Sequence, residues 1–139
     1  MRKILLAIIF VAIASFAISA QTIENASRKT LGYISSSGTV ENASRSTLGY
    51  INSNGSIENS SRSTIGYITE NGRVENASRS TIGFINSNGT VENASRSTLG
   101  YISTSGTIED SSRKTLGYAK GVDTQKAALF FFFFFKPNK

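Results

Sequence analysis

A seventeen-residue phrase recurs six times in tandem between Thr22 and Gly121 of this 139-residue chain, and a fixed period of that length restricts the fold more than any single residue. The second copy runs from Thr39 to Gly55 as TVENASRSTLGYINSNG, and later copies restart at Ser56, Arg73, Thr90 and Thr107. Each copy is one supersecondary unit that cannot bury its apolar side alone, so it must pack on its neighbours.

Within a copy, two turn signals separate two short strand signals. Asn52-Ser53-Asn54-Gly55 and its counterparts ending at Gly38, Gly72, Gly89 and Gly106 put glycine where a tight hairpin needs a positive φ. The second signal, Asn42-Ala43-Ser44-Arg45, reverses the chain without glycine. A left-handed Arg45 there strains the backbone by roughly 1 kcal/mol per copy. Segments such as Ser46–Ile51 and Ser56–Glu58 are rich in β-branched and aromatic residues and read as strands. By simple alternation Leu48 and Tyr50 share one buried face, with Gly49 on the other. A glycine recurs there in all six copies, at 32, 49, 66, 83, 100 and 117, which marks a bulge or a close backbone approach. Clustered Gly, Ser, Asn and Thr leave no helical window.

The chain ends are not repeats. Arg2 and Lys3, the apolar run Ile4–Phe16 and the small residues Ala17–Ala20 read as a signal peptide over residues 1–19, cut near Ser19 or Ala20. The run is shorter than the ~20 residues of a membrane span, so the mature chain is expected to lack a transmembrane segment and to be secreted or periplasmic. Removing Arg2 and Lys3 leaves thirteen basic against nine acidic residues. Because each repeat Arg follows a Glu by four positions, this mild excess is spread in pairs, and a phosphate-gripping block for nucleic acid is absent from the sequence. The sequence has no Cys and no His, so no disulfide, thiolate or imidazole metal site can form.

Residues 20–121 form the hairpin-repeat domain. Its first copy lacks a preceding strand and its last lacks a following turn, and pairing of these two halves would close a ring that hides its edges. A β-solenoid with one coil per repeat is the competing architecture, but it needs capping segments. Residues 122–139 complete the same domain as a helix or strand. Asp123 is placed to cap a short helix over Thr124–Leu129, and the six phenylalanines Phe130–Phe135, which have no polar face, are expected to plug or cover the array. The fold class is therefore all-β: tandem 17-residue β-hairpin repeats in a closed, pseudo-symmetric radial array, with the C-terminal aromatic segment packed on it.

The wording of the repeats, Gly-Thr-Val-Glu-Asn through Ser-Thr-Leu-Gly-Tyr-Ile to Asn-Ser-Asn-Gly, followed by Ala-Ala-Leu-Phe-Phe-Phe, resembles the 5-fold β-flower proteins, small secreted bacterial chains. The resemblance implies β-hairpin petals around a pseudo-fivefold axis, and implies no activity. Arg at 28, 45, 62, 79, 96 and 113 stands where many such relatives would carry Gly.

An enzyme needs a unique polar constellation, and near-identical repeats supply almost none, so no catalytic residue and no cofactor is expected. The Glu ring at 24, 41, 58, 75, 92 and 109 is read as surface partners of the turn arginines rather than as catalytic carboxylates. The Asn-X-Ser sequences at Asn25, Asn42, Asn59, Asn76 and Asn93 are read as turn chemistry rather than glycosylation sites, and an ice-binding reading of the threonine ladder would need a flat solenoid face. The expected function is a secreted structural or binding module, with Tyr33, Tyr50, Tyr67, Phe84 and Tyr101 and Arg45, Arg62, Arg79 and Arg96 forming equivalent shallow sites for a glycan or a cell-surface protein. The alternative is an assembly protein that docks through its Phe-rich tail.

Overall fold

The computed structural model describes residues 21–137, so the segment read as a signal peptide lies outside the described residues. The first six strands are β1 (Gln21–Asn25), β2 (Thr30–Ile34), β3 (Thr39–Asn42), β4 (Thr47–Ile51), β5 (Ser56–Asn59) and β6 (Thr64–Ile68). The next six are β7 (Arg73–Asn76), β8 (Thr81–Ile85), β9 (Thr90–Asn93), β10 (Thr98–Ile102), β11 (Thr107–Asp110) and β12 (Thr115–Tyr118). Each pairs antiparallel with its sequence neighbours, and β12 returns to β1 with Glu24 opposite Tyr118 and Asn25 opposite Gly117. The two half-units at the ends thus complete one another, and the barrel has no open edge. Twelve strands make six two-stranded units rather than five. Five glycine turns join neighbouring units, and the sixth position is the seam between β12 and β1.

Both turn types use left-handed backbone. In the glycine turns, Gly38, Gly55, Gly72, Gly89 and Gly106 sit at φ between 86° and 93°. In the other turns the left-handed residue is arginine, at φ 67° to 68° in all six copies. The Asn that opens each such turn, replaced by Asp110 in the last copy, holds it closed: Asn42 Oδ1 accepts from the backbone N–H of Ser44 at 2.9 Å and of Ser46 at 3.0 Å. That is the local side-chain chemistry for which turns select Asn.

A β-bulge in each of the six hairpins closed by an arginine turn overturns the expectation that Leu48 and Tyr50 share a face. Val40 pairs with Gly49 and Glu41 with Thr47, which leaves Leu48 as the extra residue. The bulge resets the alternation. Gly49 and Ile51 are buried, Leu48 packs against the core from its rim, and Tyr50 faces outward. The wall therefore lines the core with rings of aliphatic groups. Ile23, Val40, Ile57, Val74, Val91 and Ile108 form a fully buried ring, and Ile34, Ile51, Ile85, Ile102 and Ala119 form another with the more exposed Ile68.

The C-terminal segment fills the middle. Asp123 caps the helix α1 (Thr124–Ala128) by accepting from the Lys126 N–H at 3.1 Å. The helix then widens into a π-helical turn over Leu129–Phe133, in which Phe134 N donates to Leu129 O at 3.0 Å. Five consecutive rings meet five consecutive strand glycines. Phe131 lies against Gly117, Phe132 against Gly100, Phe133 against Gly83, Phe134 against Gly66 and Phe135 against Gly49. A Cβ at Gly49 would approach the Phe135 ring to 2.9 Å, and one at Gly100 the Phe132 ring to 2.6 Å. Glycine recurs in the strand because both an aromatic ring and the carbonyl of the next strand's Glu occupy the space of a side chain. The widened turn has a geometric reason: an α-helix advances about 100° per residue, whereas six units around an axis are about 60° apart, so unwinding brings successive side chains nearer to successive units. Phe130 is almost wholly buried and packs edge-on to Phe131, with centroids 5.5 Å apart.

Candidate binding surface

With the core facing inward, the aromatic position of each repeat lies on the outer wall. Cross-strand pairing sets Tyr50 opposite Glu58, and the left-handed turn that follows Glu58 swings Arg62 back over the same sheet. The Arg62 guanidinium lies 3.4 Å from the Tyr50 ring centroid and donates to Glu58 Oε1 at 3.0 Å. The arrangement repeats as Arg45 on Tyr33, Arg79 on Tyr67, Arg96 on Phe84 and Arg113 on Tyr101, all at 3.4 to 3.6 Å. Arg28 on Tyr118, at 3.5 Å, closes the belt across the seam.

All nine residues expected to form the shallow sites therefore lie in this belt. They pair between repeats, each Arg covering the aromatic ring of the preceding copy. Arg28, Arg113 and Tyr118 belong with them as members of the closing stacks. The signal for the pairing is the offset of aromatic, Glu eight residues on and Arg four beyond, legible once the hairpin register is known.

Each aromatic is neither core nor open groove: it is half-buried, with a guanidinium laid on it. A sugar ring cannot stack on a face so covered. What the belt offers solvent is guanidinium, since the side chains of Arg45, Arg62, Arg79 and Arg96 remain 55% to 61% exposed.

The six turn arginines pair with the six glutamates at 3.0 to 3.6 Å. Exposed pairs of this kind are worth about 0–1 kcal/mol each. Two of the carboxylates are held more firmly. The Asn52 amide donates to Glu58 at 2.8 Å and the Asn86 amide to Glu92 at 2.6 Å. These hydrogen bonds, with the Arg62 and Arg96 guanidiniums second, hold both carboxyls below the ordinary glutamate range. In the fourth copy Arg73 stands where other copies carry Thr or Ser, and Glu75 is buried between Arg73 at 3.4 Å and Arg79 at 3.2 Å.

Among the described residues no group of three or more acidic side chains is placed to hold a metal ion, and no helix is long and apolar enough to cross a membrane. A family model described as 5-fold beta-flower protein matches residues 20–135. No curated protein and no solved structure matches the chain.

Proposed function

The chain belongs to the 5-fold β-flower family, and from that premise we propose that it is an exported, non-catalytic module whose arginine belt binds a repetitive, carboxylate-bearing glycan at a cell surface. The observation that carries this reading is the strained arginine. A left-handed backbone costs a non-glycine residue about 1–2 kcal/mol, and glycine would adopt it freely, yet the chain keeps Arg there six times. Strain retained at equivalent, solvent-facing positions points to a task for the side chain. Stacking on Tyr or Phe contributes about 0.5–1 kcal/mol at an exposed site and the pair with Glu about 0–1 kcal/mol, which together do no more than about balance that cost.

Each stacked guanidinium is held over a ring while more than half of the arginine side chain stays open to solvent. Carboxylates are the planar acceptors that such a fork suits. Six copies around one rigid ring convert weak single contacts into avidity when the ligand is itself repetitive. The alternative, docking through the phenylalanine run, would require withdrawing rings that lie against barrel glycines. Near-identical repeats favour a binding module over an enzyme, because the six glutamates of the belt are all engaged by arginines.

The test is retention of the exported protein on immobilised polygalacturonate, with neutral dextran as control. Retention that weakens as salt rises and disappears when Arg45, Arg62, Arg79 and Arg96 are all changed to Gly supports the reading. No retention at low salt, or equal retention of that variant, overturns it.

A further inference from the structure

The six-unit ring is symmetric in sequence, but the segment that plugs it is not, and the mismatch leaves a cleft. The chain leaves the ring after β12 at Tyr118 and passes into α1 through a turn in which Val122 N donates to Ala119 O. The unit three places around, and so diametrically opposite, is the β6–β7 hairpin with its turn Thr69–Gly72. There the turns and α1 do not close on one another. A cleft of about 440 Å³ opens between the helix and the turns, and a second of about 400 Å³ adjoins it through the shared residues Glu70 and Gln125.

Two observations mark this place as distinct from the other turns. Ile68 is the one isoleucine of its ring that is not buried, and it forms the apolar floor of the first cleft, backed by Ile51 and Leu129. The turn above it is also the only glycine turn that carries a charge: Glu70 stands where the other four have Ser or Thr. Around the floor the walls are amide, hydroxyl and carboxylate, with Asn54, Thr69 and Glu70 on the ring and Asp123, Gln125 and Lys126 on the plug. A volume in this range suits a small ligand.

We infer that this cleft is a binding site for a neutral mono- or disaccharide, separate from the arginine belt. Planar amides and carboxylates pair with vicinal hydroxyls, and the patch at Ile68 receives the C–H face of a pyranose ring. With Asn52 and Ser53 also lining it, the cleft holds five neutral polar side chains against three charged ones of both signs, which favours a neutral sugar over an amine or an anion. The site does not depend on the belt: it lies at the glycine-turn mouth, and the belt lies on the outer wall.

The exported chain, isotopically labelled, is titrated with glucose, galactose, N-acetylglucosamine, maltose and cellobiose while backbone amide shifts are followed. The expected result is saturable shifts at Ile68, Glu70 and Gln125 with one of these sugars, and none at the equivalent turn Ser103–Gly106. Glu70→Ala should weaken that binding at least about fivefold, roughly 1 kcal/mol, and Ser53→Phe, on an exposed turn, should block it with thermal unfolding unchanged. No shift with any of the sugars at about 50 mM, beyond the range of weak millimolar sites, overturns the inference. So do shifts spread evenly over all five glycine turns, and so does a response to methylammonium without one to sugars. Loss of polygalacturonate binding leaves this result untouched, so the two readings fail separately.

Discussion

On the inner face of the wall, Gly83 meets the ring of Phe133; one residue later, on the outer face, Phe84 meets the guanidinium of Arg96. The same repeat supplies both contacts, yet the partners differ in kind. Inside, the partner comes once, from a segment that has no repeat, and five of the six strand glycines receive a ring while the nearest neighbours of a Cβ at Gly32 are backbone atoms of Glu41 and Asn42. Outside, the partner comes from the next copy, and all six stacks form. An internal repeat can satisfy itself on a closed surface but not along its axis, where room exists for one helix only. The inner face accordingly carries the stability, and the outer face is free to be specialised.

The strongest way to break this contrast is to remove the plug. A chain ended after Lys126 loses Leu129 and the whole Phe run, of which Phe130, Phe131, Phe132 and Phe135 are buried. At about 1.5–3 kcal/mol for each large apolar group, the loss exceeds the ~5–15 kcal/mol that keeps a domain folded, or comes close to it. Circular dichroism and light scattering should show an unfolded or aggregated product; a soluble, cooperatively folding barrel would assign the stability to the wall instead.

A smaller and more local effect tests the glycines. Gly66→Val drives a side chain into both the Phe134 ring and the Glu75 carbonyl, an overpacking that costs about 1–3 kcal/mol or more. Gly32→Val meets no ring, but its Cβ would run into the backbone carbonyl of Glu41, so it should lose stability in chemical denaturation as well. A neutral Gly32→Val would mean that the strand carbonyl does not set the glycine requirement, and a neutral Gly66→Val that neither the carbonyl nor the ring does.

Smaller still is the effect of Arg62→Gly. It loses one stack and one ion pair but relieves the left-handed strain, so stability should change by no more than about 1 kcal/mol. A loss of several kcal/mol would make the belt part of the scaffold and remove the argument for a partner. The smallest effect is acid dependence. Because hydrogen bonds from Asn52 and Asn86 lower the Glu58 and Glu92 pKa values, the stability they contribute is present above the ordinary glutamate range and fades as pH falls through the lowered values. In the Asn52→Ala variant, carboxyl NMR titration should place Glu58 at higher pH while Glu92 stays where it was; unchanged titration of Glu58 would deny the Asn52 bond.

Much of this was legible in the residues. The period of 17, the two turns and the unfinished ends foretold paired strands closing a ring, and the apolar run foretold a plug. The wall's facing was not legible, because strict alternation puts Leu48 with Tyr50 and only the bulge, a hydrogen-bonding event between strands, separates them. The belt residues could be named but not matched, since stacking joins a ring to an arginine twelve residues on, and Arg28 to Tyr118 across the seam. The cleft was hidden for a different reason. Glu70 departs from its repeat by a single residue, and its significance depends on where the plug enters the ring.

Phe131 to Phe135 run along the middle of the barrel, each ring against one strand glycine. Nuclear Overhauser contacts between the glycine Hα and phenylalanine ring protons measure this directly. The expected result is a descending series in which Gly117, Gly100, Gly83, Gly66 and Gly49 contact Phe131, Phe132, Phe133, Phe134 and Phe135 in that order. Absence of these contacts, or a scrambled order, would contradict it.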